Sequence, residues 1–222
     1  MLNNAMLDLL LMLRKATGET LYMTFISTIF ACMLGFPIGT ILFSASPAGI
    51  RPQQILYSVL SRIVNLFRSI PFIILMILLI PLSRLLIKTS IGSTAVIIPL
   101  SIGAAPFVAR LVESALAEVD QGVIAAASAM GSTDMQIIRK ILIPEALPGL
   151  ISGLALTLIN LIGYSAMAGA IGGGGLGDLA IRYGYYRFRM DVTIAAVIVI
   201  LILVEIIQLT GTIVSRSILA KR

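Results

Sequence analysis

Apolar residues run along this chain in long stretches with few charged positions, and do not alternate with polar ones. The runs cover residues 20–50, 59–83, 89–109, 146–177 and 192–215. Each approaches or exceeds the roughly 20 apolar residues that carry an α-helix across a bilayer core. A transmembrane barrel would show short segments of alternating polarity, and no such pattern recurs. The pattern predicts an all-α, multi-pass membrane protein with five spans and its ends on opposite sides. Ahead of the first run, an apolar patch at residues 7–13 precedes Arg14 and Lys15. A cleaved leader has its charge first, so this order predicts a short amphipathic helix at the interface.

The pattern breaks at residues 125–144, AAASAMGSTDMQIIRKILIP. An alanine-rich helix is predicted up to Met130, with Gly131 as its left-handed cap. Thr133 and Gln136 have capping-box spacing, so a second helix starts there. Pro144 is expected to end it. The product is a helical hairpin at the end of membrane spans, shaped for a partner to grip.

Several apolar runs hold features of their own. Gly35 and Gly39 stand four apart around Pro37, which predicts close helix packing and a kink in the first span. Pro99 and Pro106 are expected to break the regularity of the third. The fourth ends in GAIGGGGLG (residues 169–177), too glycine-rich to stay helical. Charges at depth are Arg62 and Arg68 in the second run and Glu205 in the fifth. A buried acid costs about 2.5–3.5 kcal/mol on insertion scales. Glu205 is therefore expected to be protonated, to pair with Arg62 or Arg68, or to face a water-filled cavity.

Composition sharpens the class. The 222 residues are 59% hydrophobic and 12% charged, about half the roughly 25% charge of soluble domains. The net charge of +6 is spread over loops and ends without a basic tract, so nucleic acid is not expected as a partner. Lys and Arg divide almost evenly between the two predicted sides, and the positive-inside rule does not orient the chain. Histidine is absent and Cys32 is the single cysteine. No metal site, intrachain disulfide or Ser–His–Asp set is predicted, and no carboxylate pair falls within a span for acid–base work. No catalytic residue is expected. Gly172, Gly174 and Gly177 satisfy G-x-G-x-x-G, but they follow a membrane span and not a strand, and read as a tight turn. The nucleotide-binding pattern G-x-x-x-x-G-K-[ST] does not occur, so ATP-driven work would need another polypeptide as motor.

The hairpin resembles the EAA loop of permeases in binding-protein-dependent ABC importers, E-A-A-x3-G-x9-I-x-L-P. Ala126, Ala127, Gly131, Ile141 and Pro144 match; Ala125 stands at the usual glutamate and Ile143 at the usual leucine. Four further segments resemble the methionine-importing members of that class: residues 65–75 (NLFRSIPFIIL), 103–116 (GAAPFVARLVESAL), 143–149 (IPEALPG) and 163–177 (GYSAMAGAIGGGGLG). The resemblance implies a type I ABC permease of a bacterial inner membrane, with the hairpin and C-terminus in the cytosol. It implies a domain order of an N-terminal interfacial segment (1–16), a transmembrane domain (17–210) with the coupling loop at about 118–145, and a cytosolic tail (211–222). The partners implied are a second copy of the chain, two ATPase subunits that hold ATP and Mg, and an external methionine-binding lipoprotein. The cargo implied is L- or D-methionine; another small amino acid or peptide, or an ATP-independent transporter, is the alternative. The path between the two copies is expected to be lined by Tyr164, Ser165, Ala166 and Met167, with Pro71 at a helix break facing them and no fixed charge beside them.

Overall fold

The computed structural model describes residues 2–220, with side chains from residue 6 onward; Lys221 and Arg222 lie outside the described residues. All of its regular structure is helical. Helix α1 (Leu2–Ala45) is followed by α2 (Gln54–Ser69), α3 (Phe72–Ile87), α4 (Ile97–Ala117) and α5 (Gln121–Ala129). Helix α6 then runs as one span over Asp134–Gly169. A short α7 (Gly175–Leu179) continues as a wide turn over Ala180–Tyr185, and α8 (Met190–Leu219) closes the chain.

Four of these helices are long and apolar enough to cross a membrane. The predicted second span is not a single helix. It is the pair α2 and α3, bent by 99° at a break beside Pro71. Ile70 is extended (ψ 125°), as expected for a residue whose helical geometry is blocked by the following proline. The pair still carries the chain from end to end. Gln53 donates to the Ala45 carbonyl before it, and Gly92 donates to the Gly172 carbonyl after it.

Other boundaries moved for physical reasons. Residues 2–19 form no separate interfacial helix; they are the first turns of the 44-residue α1, about 66 Å long at 1.5 Å per residue. The third span begins at Ile97 and extends to Ala117, with Pro106 inside it. Pro99 does not break it, because a first-turn proline forfeits only an N–H that has no partner in the helix. Residues 211–219, expected in a tail, are the last turns of α8.

The core is a seam between α1 and α4. A Cβ on Gly35 would lie 2.6 Å from the Ala105 carbonyl oxygen, and Gly39 meets Ala109 and Val112 as tightly. Small residues at this four-residue spacing let two helices pack backbone to side chain in lipid. Polar clips hold the remaining helices. Arg110 of α4 forms a 2.6 Å ion pair with Glu113 and donates to the Ser61 carbonyl and hydroxyl and to Asn65 Oδ1 of α2. Ser215 of α8 donates to the Pro148 carbonyl at 3.0 Å.

Candidate functional site: a capped hairpin and a broken-helix cleft

The hairpin forms as its local chemistry dictates. Asp120 caps α5 by accepting from the Gly122 N–H at 2.6 Å. At the other end Gly131 takes φ +80°. Its N–H donates to the Ser128 carbonyl and the Ser132 N–H to the Ala127 carbonyl, the paired bonds of a Schellman cap. The capping box is complete: Gln136 N–H donates to Thr133 Oγ1, and Thr133 N–H donates to Gln136 Oε1 at 2.8 Å.

Pro144 does not end the second helix. The chain widens into a π turn over Ile138–Leu142, with the Ile143 N–H bonded to the Ile138 carbonyl, and then runs on to Gly169. A proline ring clashes with the carbonyl four residues back in an ordinary helix; the wider turn sits where that carbonyl, of Lys140, would be met. The hairpin is therefore a short α5 folded against the first turns of a 36-residue span.

One side of the hairpin is anchored. Ile124, Ala127, Ile137 and Leu142 are buried in the main core, with Ile141 half-buried against it. Arg51, in the turn after α1, pairs with Asp134 at 2.5 Å. The opposite side is open. Ala125, Ala126, Gly131 and Pro144 are exposed, as are Val123, Met130 and Met135. Val123, Ala126 and Met130 follow helical spacing, so small and flexible apolar groups share one solvent-facing stripe.

The path candidates do not share a face. Tyr164 stacks flat on Phe72, ring centroids 4.0 Å apart. Ser165 is buried and donates to the Ile162 carbonyl at 2.8 Å. Ala166 packs against the backbone of Gly177. Met167 and Pro71 are exposed. Tyr164 alone of the five lines the cleft at the α2–α3 break, a space of about 250 Å³ walled by Phe67, Arg68, Phe72, Phe107, Asn160 and Tyr164 among others. Here the expectation of an uncharged surrounding fails, because Arg68 lines the same cleft as Tyr164. The fold brings it there by turning the chain at Pro71, between Arg68 and the stacked Phe72. Glu205 is exposed on α8 and forms no ion pair with Arg62 or Arg68 among the described residues.

Sequence reasoning missed two clips. Glu19 Oε2 accepts from the Gly175 N–H at 2.8 Å, and Thr20 Oγ1 from the Leu176 N–H at 2.9 Å. A carboxylate beside a hydroxyl at the start of an apolar run was the available signal. The Arg51–Asp134 pair had none, since 83 positions separate its partners.

The model of the binding-protein-dependent transport system inner membrane component family matches residues 35–219. The chain belongs to that family. Relatives within it include a probable D-methionine transport system permease protein of Vibrio cholerae, 49% identical over 204 residues that cover 92% of this chain and 89% of that one. The D-methionine transport system permease protein of Escherichia coli K12 is 52% identical over 158 residues, 71% of this chain and 73% of its own. Among solved structures, a chain of the MetNI methionine ABC transporter in an inward-facing conformation matches with a TM-score of 0.92 at 48% identity, covering 96% of this chain and 98% of that one. As a family member the chain is a multi-pass inner-membrane transport subunit, and its fold is that of a type I ABC permease.

Proposed function

We propose that this permease carries methionine, in L or D form, inward across the membrane as one of two copies driven by a pair of cytosolic ATPase subunits. The observation that carries the reading is the match in fold, over nearly the full length and at close to half identity, to a methionine transporter's chain. An external methionine-binding lipoprotein delivers the cargo. ATP and Mg belong to the ATPase pair, whose closure supplies the stroke. The coupling loop is residues 118–145 of a transport unit spanning 17–210. Its docking stripe is the exposed side of the hairpin, including Ala125, Ala126, Gly131 and Pro144, with Ala127 and Ile141 holding it to the core.

The residues of this chain explain how such a stroke reaches the path. Helix α6 runs unbroken from Asp134 to Gly169, about 54 Å at 1.5 Å per residue. Its first turn is part of the hairpin and its outer half carries Asn160 and Tyr164, so a displacement at one end tilts the other. Interfaces that switch between two packings turn such a tilt into inward-open and outward-open states. Uptake of labelled methionine into proteoliposomes holding the permease, the ATPase subunits and the binding protein tests the reading. ATP-dependent uptake, competed by unlabelled methionine, is expected. Uptake that proceeds without ATP, or ATP-driven uptake indifferent to methionine, would overturn it.

A further inference from the structure

At the outer end α1 is clipped to the turn after α6, where Glu19 and Thr20 accept from the N–H groups of Gly175 and Leu176. Closer to the hairpin a cavity of about 290 Å³ opens between the two helices, with α4 as its floor. Cys32 and Phe36 of α1, Val108 and Val112 of α4, and Leu147 and Leu154 of α6 line it. Its one hydroxyl, on Thr157, donates to the Gly153 carbonyl at 2.8 Å. A cavity with no free polar group offers water no partners and stays dry, whereas an alkyl chain gains dispersion contacts along such walls. Leu147 and Leu154 are 39% and 42% exposed, so the cavity opens on the outside of the bundle. In a membrane, lipid tails are the solvent there. Along α6 the lining runs from Ile143 to Thr157, about 21 Å at 1.5 Å per residue. One leaflet of a roughly 30 Å hydrocarbon core is about 15 Å deep.

The apolar stripe ends on two cations. Across the wide turn the Ile143 N–H bonds to the Ile138 carbonyl, which sets Arg139 one turn below Ile143 with Lys140 next to it. Both are exposed and form no ion pair among the described residues. Asp134, earlier in the same helix, is already paired with Arg51. Basic groups at the cytosolic mouth of a slot between spans are how membrane proteins hold anionic lipid headgroups.

We infer that this cavity holds an acyl chain of an anionic phospholipid from the cytosolic leaflet, whose phosphate sits on Arg139 and Lys140. The inference goes beyond methionine import and takes from that reading only the cytosolic side of the hairpin. A guanidinium meets a phosphate through two parallel charge-assisted hydrogen bonds, and the lysine adds a point charge beside it. A lipid held in this way fills the gap between α1 and α6 and braces the base of the hairpin. The competing occupant is a second copy of the chain. Seated on this face by a two-fold axis, it would bring the same cations together from both sides, and like charges facing one another disfavour the contact.

The test uses the assembled complex in phosphatidylcholine vesicles doped with a lipid that carries a photoactivatable diazirine in mid-chain. The probe lipid is phosphatidylglycerol in one arm and phosphatidylcholine in the other, and adducts are mapped by peptide mass spectrometry. Phosphatidylglycerol is expected to label residues 32–36 and 147–154 well above phosphatidylcholine. Arg139→Gln with Lys140→Gln is expected to lower that preference about fivefold for each cation removed, the scale of one basic residue at an anionic surface. Ile151→Trp, which places an indole in the cavity that Ile151 lines, is expected to remove the adducts of both lipids from these two segments and leave those on other faces. No methionine is present, so the outcome does not depend on which cargo the permease carries. Equal labelling by the two lipids, or adducts confined to other faces, would overturn the site. Efficient joining of two permease chains through Cys32 by a bismaleimide in the same vesicles would give the cavity to a second copy and overturn it too. Should a substituted chain fail to assemble, the comparison of the two lipids on the unaltered complex still decides.

Discussion

The two ends of α6 are both built on glycines with positive φ, yet they do opposite jobs. At the outer end Gly172, Gly174 and Gly175 take φ near +80°, and the turn is locked: Glu19 and Thr20 accept its N–H groups, and Gly177 lies against the backbone of Ala166. At the inner end Gly131 takes the same φ of +80°, but nothing lies within 4 Å of where its Cβ would be. One glycine-rich turn is needed for space as well as for backbone freedom; the other is needed for backbone freedom alone. Under the coupling proposed above, the outer turn would serve as a fixed pivot and the inner one as the handle. This division is what a lever requires, with α6 as its arm.

The contrast breaks first at the pivot. Gly177→Val forces a branched side chain into Ala166 backbone that cannot give way, and overpacking of that kind costs about 1–3 kcal/mol or more. The expected outcome is a steep loss of folded protein, seen as a lowered midpoint in thermal unfolding of the purified permease. Next comes the clip. Glu19→Ala leaves the Gly175 N–H without its charged acceptor, a loss of about 1.5–3 kcal/mol in partly buried settings. Its midpoint should fall less than that of Gly177→Val, and protease cleavage within residues 170–175 should accelerate. A Glu19→Ala protein as stable as the original would mean that the outer turn holds itself.

At the handle the expected effect is smaller for stability and larger for coupling. Gly131→Val must hold a β-branched residue in left-handed geometry, at about 1–2 kcal/mol. With open space around it, the strain is confined to α5 and its cap. The membrane bundle should therefore unfold close to its usual temperature, while co-purification of the ATPase subunits and methionine uptake fall together. Loss of the bundle with retained ATPase binding would reverse the roles assigned to the two turns.

How much of this could be read from residues alone depends on the range of the interactions. The hairpin was legible because caps are local: Gly131, Thr133 and Gln136 all fall within six consecutive residues. The Gly35–Gly39 seam was legible as a packing face for the same reason. The fate of Pro144 was not, because a helix can absorb a proline by widening into a π turn, and the sequence carries no mark of that choice. The bend at Pro71 was legible as a break but not as a near right angle, which depends on where α4 and α6 receive Phe72. Arg68 shows the limit best. Its depth marked it as unusual, yet its place beside Tyr164, 96 positions away, exists only once α2, α3 and α6 are packed.

The smallest effect separates anchoring from docking at the inner end. Arg51 and Asp134 form a short pair, but their side chains are 72% and 36% exposed. Water and salt screen such a pair, and its worth is about 0–1 kcal/mol. If the hairpin were held to the bundle mainly by this bridge, Arg51→Gln would loosen it and weaken coupling as Gly131→Val does. If instead the buried Ile124, Ala127 and Ile137 do the holding, the substitution changes little. Apolar burial of three side chains outweighs one exposed pair, at about 1.5–3 kcal/mol for a fully buried Ile. The expected result is an unchanged unfolding midpoint and ATPase co-purification within about twofold of the original, an effect inside the range of the pair itself. Ile137→Ala in the same assay should cost far more. The reverse ranking would make the bridge, rather than the apolar core, the joint through which the handle moves the helix.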